Sequence, residues 1–157
     1  MRVLHVGLMV NESRNIGLSK AFKDNSEHYE EIEINNNTIN RVGRVNFRPH
    51  IVFTQIQNDK IGGQSVNAIN VHLNRLRSEG AFIINWTGDK RANTPSWMSS
   101  FNADLTCFSN WEDVHRFRGK SDFLQIGIDP EVFHDKHNKF DIFKNHDWIS
   151  RGFKLRS

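Results

Sequence analysis

"GGQSVNAINVHLNRLRSEGAFIINW", residues 62–86, decides the fold. Val66, Ile69, Leu73 and Leu76 recur at spacings of three and four, so they share one stripe of a helix. Gly62 and Gly63 precede the stripe, and Gly80 stands at the C′ position that ends a helix. "AFIINW" (81–86) follows at once. A continuous apolar run of that length is a strand buried on both faces. A helix emptying into a doubly buried strand is the second half of a β-α-β unit, and such units build parallel sheets.

The same alternation extends in both directions. Upstream, "HIVFTQI" (50–56), opened by Pro49, reads as a central strand, and "RVLHVGLM" (2–9) as the first strand. Between them "SRNIGLSKAFKDN" (13–25) reads as a helix and "HYEEIEIN" (28–35) as a strand nearer an edge. "NNNTINRVGRVN" (35–46) reads as a polar connector. Downstream, Thr94-Pro95 has the form of an N-cap and a first-turn proline opening the short helix "PSWMSSF" (95–101). "ADLTCFS" (103–109) is a strand, and Ser109-Asn110-Trp111-Glu112 has capping-box spacing before "WEDVHRFRG" (111–119). "SDFLQIG" (121–127) is a last short strand. The expected fold is α/β, a doubly wound, mostly parallel Rossmann-like sheet with helices on both faces. Its first strand is interior, the chain reverses direction beside it, and ligands bind outside the carboxyl ends of the strands at that reversal. The loops after Met9, Ile56, Trp86 and Phe108, with the turn at Gly127, are therefore the places to look for function.

Length and charge set the frame. A chain of 157 residues fits one domain with a real core. We place that domain at 1–134; residues 135–157, dense in charge and His and without a period, read as a linker or the start of a second domain. A formal charge of +3 and a pI near 9.2 permit an anionic ligand. Nucleic acid is not an expected partner, because the bases are scattered and no recognition motif accompanies them. One cysteine, Cys107, excludes an internal disulfide and a Cys-based zinc cluster. No window approaches the ~18 apolar residues of a membrane span, and the first ten residues run on without a cleavage site, so a cytoplasmic location is expected.

Candidate chemistry gathers at the expected loops. In "GAFIINWTGDKRANTPSW" (80–97), Gly88 and Asp89 follow a strand, and that carboxylate suits a general base or a sugar-hydroxyl acceptor. Lys90 and Arg91 can neutralise a phosphate, and Trp86 and Trp97 can offer apolar faces to a sugar ring. Gln55, Gln57 and Asn58 are hydroxyl readers in "TQIQNDKIGGQS" (54–65), where Gly62-Gly63 is a turn or a lid. Asn11 and Arg14 lie where helix N-terminal amides face an anion, and Asn110 lies in the loop after Phe108. No G-x-G-x-x-G is present, since Gly7 and Gly17 have the wrong spacing, and no G-x-S-x-G elbow occurs. His134, Asp135 and His137 lack a third ligand, so no metal is expected. His5 and His50 read as satisfied core or edge residues, and Arg116, Arg118 and Lys120 as charges that suit a helix C-terminus.

"INWTGDKR" (84–91), "ADLTCFSNWEDVHRFR" (103–118) and "FLQIGIDPEVFH" (123–134) together resemble the amino-terminal half of GT-B-type glycosyltransferases, the group-1 and spore-maturation-like (CgeB-like) members above all. The turn Gly127-Ile128-Asp129-Pro130-Glu131-Val132-Phe133 resembles the one that closes the first domain there. The resemblance covers about residues 1–134. It implies transfer of a sugar from a nucleotide-sugar donor, a co-substrate with no cofactor or metal, to the hydroxyl of a glycan or other acceptor. The amino-terminal domain would shape the acceptor side, with Asp89 as base or orienting group. A second Rossmann-like domain would hold the donor, and without it the chain alone is expected to be inactive. The competing expectation is a non-catalytic Rossmann-like module that binds a ligand or a protein.

Overall fold

The computed structural model describes residues 1–7, 13–88 and 95–125, with the backbone alone for 13–16. The elements run β1 (Arg2–Gly7), α1 (Ser13–Asp24), β2 (His28–Glu33), α2 (Thr38–Gly43), β3 (Ile51–Thr54), β4 (Lys60–Ile61), β5 (Gln64–Ser65), a 3-10 turn (Val66–Ile69), α3 (Asn70–Ser78), β6 (Phe82–Thr87), α4 (Ser96–Ser100), β7 (Leu105–Phe108), α5 (Trp111–Arg116) and β8 (Ser121–Phe123). Six strands form one sheet in the order β2-β1-β3-β6-β7-β8, and every neighbouring pair is parallel. The chain steps from β1 to β2, returns across β1 to β3, then continues outward. The fold is thus the expected α/β Rossmann-like one, and the reversal lies between β1 and β3.

The two faces of the sheet are covered by different helices, because right-handed crossovers place a helix on the opposite face when the direction of travel reverses. Along β1, Leu4 and Val6 point to one face, where they join Val52, Ile83 and the stripe Val66, Ile69, Leu73 and Leu76 in the main core. All four stripe residues are fully buried. The other face holds Phe53, Trp86 and Cys107, with Leu18 and Phe22 of α1 packed on them. The helix after Val66 also carries a polar stripe. Asn70 donates to the Ser100 carbonyl at 2.9 Å and accepts from the Asn102 amide, while Arg77 reaches Asp104 at 2.9 Å and the Asn102 carbonyl at 2.6 Å. These bonds hold the segment that feeds β7, and Asp104 in turn accepts the Ile83 N–H.

Local expectations needed correction in four places. The connector at 35–46 contains α2, with Ile39 and Val42 buried. Two apolar residues are too few for periodicity to reveal; instead Thr38 Oγ1 accepts the Asn35 N–H at 2.6 Å and reaches the Glu33 carbonyl at 2.8 Å, which starts the turn. Gly62 and Gly63 do not lead into the helix. They are the tip of the β4–β5 hairpin, with φ of 55° and 81°, the left-handed pair of a tight primed turn. Ser65 caps the following turn by accepting the Asn67 N–H. The cap of α5 is Asn110, not Ser109: Asn110 Oδ1 accepts the Asp113 N–H at 3.0 Å and its amide donates to Asp113 Oδ2 at 2.7 Å. Pro95 occupies the cap position of α4, and Thr94 lies outside the described residues.

The hairpin tip yields a prediction. A Cβ on Gly62 would stand 2.4 Å from the Asn36 Cα, whereas one on Gly63 would meet nothing within 4 Å. Both residues have positive φ, so the steric term alone separates them. Gly63→Ala should cost about 1 kcal/mol and Gly62→Ala about 2–3 kcal/mol by urea denaturation. Equal losses would show that the hairpin does not press on the β2–α2 turn.

Candidate functional site

A cleft lies at the carboxyl end of β3, beside the end of β1. Ile34, Ile56 and Ile61 supply its apolar side; Gln55, Gln57, Asn58 and Lys60 supply its polar side. Asn58 and Lys60 are exposed and Gln57 is half-buried. The hairpin β4–β5 forms one wall, pressed by Gly62 against the turn after β2.

The loop that carries these side chains is pinned from β6. Asn85, almost fully buried, accepts the Ile56 N–H at 3.0 Å and the Thr54 hydroxyl at 2.8 Å, and its amide donates to the Ile56 carbonyl at 3.3 Å. One side chain thus replaces the strand pairing that β3 loses where it ends, and it sets the direction in which Gln57 and Asn58 leave the sheet. Sequence reasoning missed Asn85. The available signal was a polar residue inside the apolar run "AFIINW", since a buried amide without partners costs several kcal/mol.

A second buried chain approaches the cleft from the α1 face. His5 has no exposed surface. Its Nδ1 lies 3.0 Å from the Tyr29 hydroxyl and its Nε2 lies 3.0 Å from Gln55 Oε1. Gln55 Oε1 accepts, so the proton of the neutral ring belongs on Nε2 and Nδ1 accepts from Tyr29. Phe22 and Phe53 close on the ring at 5.5 and 5.7 Å. Burial pushes the imidazole below its ordinary pKa, against the opposing pull of Gln55 and Glu31. Burial likewise raises the Tyr29 phenol. His5 is the satisfied core residue that the sequence suggests, with the added role of holding Gln55. Gly7 must be small for this reason: a Cβ there would lie 2.1 Å from Gln55 Oε1 and 2.6 Å from His5 Nε2.

The remaining sequence candidates fall into three groups. Gln55 and Asn58 meet at the cleft, though Gln55 is 2% exposed and its carbonyl is turned to His5. Trp86, Gly88 and Asn110 lie at the ends of β6 and β7 and are used structurally. Trp86 is buried and donates from Nε1 to the Leu124 carbonyl at 2.8 Å, so it offers no open face to a sugar. Gly88 admits the Trp86 ring, which a Cβ would meet at 2.4 Å, and its carbonyl accepts from Ser109. Asn110 spends both ends of its amide on the cap of α5. Asn11, Asp89, Arg91 and the turn 127–133 lie outside the described residues, as does the segment 135–157, and Arg14 is described by its backbone alone. The end of β6 stands one strand away from the β1–β3 reversal.

Among the described residues no cluster of three or more His, Cys, Asp or Glu could hold a metal ion. Cys107 is buried, and burial, with Asp122 adding to it, pushes its thiol up to about 11, so it is not a nucleophile at neutral pH. No described helix is long and apolar enough to cross a membrane. What the cleft can do chemically is bind: it combines an apolar floor, three carboxamides and one cation.

No family model, curated protein or solved structure matches this chain. The reading of its function rests on the cleft and on the sequence motifs.

Proposed function

We propose that the chain is the acceptor-side, Rossmann-like domain of a cytoplasmic, nucleotide-sugar-dependent glycosyltransferase of the GT-B type. One observation carries the reading: Gln57, Asn58 and Lys60 converge on one cleft at the strand-order reversal, with Gln55 held behind them by His5. A carboxamide both donates and accepts, which suits a sugar hydroxyl that does the same. Lys60 suits a phosphate or another anionic substituent. In this reading Asp89 takes the proton of the acceptor hydroxyl as that oxygen attacks the anomeric carbon of the donor. The bond from that carbon to the nucleotide phosphate breaks, and the nucleotide leaves as an anion. Transfer needs a second Rossmann-like domain to present the donor; this domain contributes recognition, orientation and the base Asp89.

The test is calorimetry on the full chain with monosaccharides and nucleotide sugars, coupled to an assay of nucleotide release. Binding of at least one sugar is expected, and Gln57→Ala with Asn58→Ala together should weaken it about ten-fold, the worth of one to two hydrogen bonds. Sugar binding that ignores the double variant would remove the cleft from the proposal. Binding with no release, even when a donor domain is supplied, would favour a non-catalytic binding module. If release does occur, it should disappear in Asp89→Ala.

A further inference from the structure

The carboxyl rim of the sheet carries a second feature, at its far edge. Trp111 opens α5 and is 55% exposed. Its ring nonetheless lies on that of Phe123, the last residue of β8, with centroids 4.9 Å apart and planes 11° from parallel. His115, one turn along α5, stands 6.2 Å from it. The reciprocal Asn110–Asp113 cap fixes the backbone from which the indole projects. Isolated exposed apolar side chains are common and require no explanation. Trp111 differs in being packed on a second aromatic ring. Its stack, its neighbour on the helix and its cap order the ring before anything binds, which removes an entropy cost that a mobile surface side chain would have to meet on binding. An ordered, half-exposed indole suits the apolar C–H face of a pyranose ring.

The position of the indole indicates what it serves. β8 lies three strand spacings from β3, roughly 14 Å at ~4.8 Å per spacing. Both the cleft at β3 and the Trp111–Phe123 pair are at carboxyl ends, so they share one rim, with the ends of β6 and β7 between them. A single sugar cannot span them, but a chain of a few sugar units can. We propose that Trp111, backed by Phe123, is a stacking platform for an outer ring of an oligosaccharide acceptor whose reacting end occupies the Gln57–Asn58 cleft. This inference rests on the glycosyltransferase reading and names its acceptor as an extended glycan. A nucleobase also stacks on indole, so the test has an arm for the nucleotide.

The experiment titrates the full chain with maltotetraose, cellotetraose and chitotetraose, with the matching monosaccharides and with UDP-glucose, following the indole N–H signals by NMR. Trp111→Phe assigns the Trp111 signal by its loss. That signal should shift with a tetrasaccharide and not with the monosaccharide. Trp111→Ala should weaken tetrasaccharide binding about ten-fold, while monosaccharide and UDP-glucose binding change by less than about two-fold; Trp111→Phe, which keeps an aromatic face, should restore most of the loss. Unchanged tetrasaccharide binding in Trp111→Ala overturns the platform. An equal loss for monosaccharides overturns it too, because Trp111 would then act through the fold. A loss confined to UDP-glucose reassigns the indole to a base and overturns the glycan. Wild-type protein that binds monosaccharides but gains nothing from longer chains refutes the platform and leaves the proposed function intact. Protein that binds no sugar at all refutes both.

Discussion

Asn85→Leu should lower the free energy of unfolding by about 3 kcal/mol, read as a fall in the urea midpoint at constant slope. Leucine has the same branch at Cγ and is the bulkier side chain, so no cavity contributes. The loss comes from the Ile56 N–H and carbonyl, both of which use the Asn85 amide, and from the Thr54 hydroxyl. Ile56 is 2% exposed and cannot turn to water without opening the end of β3. Sugar binding at the cleft should fall with stability, because Gln57 and Asn58 follow directly from the freed backbone. A loss under about 1 kcal/mol would mean that the Ile56 amide finds another partner, and that Asn85 does not position the site.

The second large effect concerns His5 and acid. The folded pKa is depressed below its ordinary 6.5, so the unfolded chain binds more protons than the folded one as pH falls through that range. The stability that neutral His5 supplies is complete above pH ~6.5 and is lost as pH falls below it, with a slope approaching ~1.4 kcal/mol per pH unit for one proton. Protonation also makes Nδ1 a donor, so it can no longer accept from Tyr29. His5→Phe should cost about 2 kcal/mol at pH 7.5, since it removes the shared partner of Tyr29 and Gln55. The difference between wild type and variant should then shrink as pH falls from 7.5 to 5. The readout is urea unfolding at several pH values. A difference that stays constant across that range would show that His5 is not the group that titrates.

Much of the fold was legible from local pattern. Val66, Ile69, Leu73 and Leu76 mark their helix by spacing and are fully buried, and the continuous run that follows becomes β6 at the centre of the sheet. Period and composition are local properties, and a parallel sheet follows from their alternation. Where side chains rather than periodicity start an element, the pattern was silent. Thr38 initiates α2 through hydrogen bonds to Glu33 and Asn35, and Gly62 turns a hairpin against Asn36.

The candidate site was legible in its location and less so in its membership. The rule that ligands sit at carboxyl ends near a reversal led to Gln55 and Asn58, which do line the cleft. The same rule also named Trp86 and Asn110, which the structure spends on burial and capping. A residue type says what a side chain can bind, but not whether a neighbour has already engaged it. Conversely, His5 read as a core residue and Asn85 was not singled out, yet both hold the site's loop.

The sequence by itself determined the class of the fold, the buried stripe and the loops where function can lie, because these depend on periodicities that each segment carries alone. Only the tertiary structure decided that the reversal falls between β1 and β3, that Asn85 and His5 reach across strands to Ile56 and Gln55, and that Trp111 is held on Phe123. Those contacts join residues 12 to 50 positions apart. They come into existence only when the strands pair, and strand order is a property of the packed sheet that no single segment encodes.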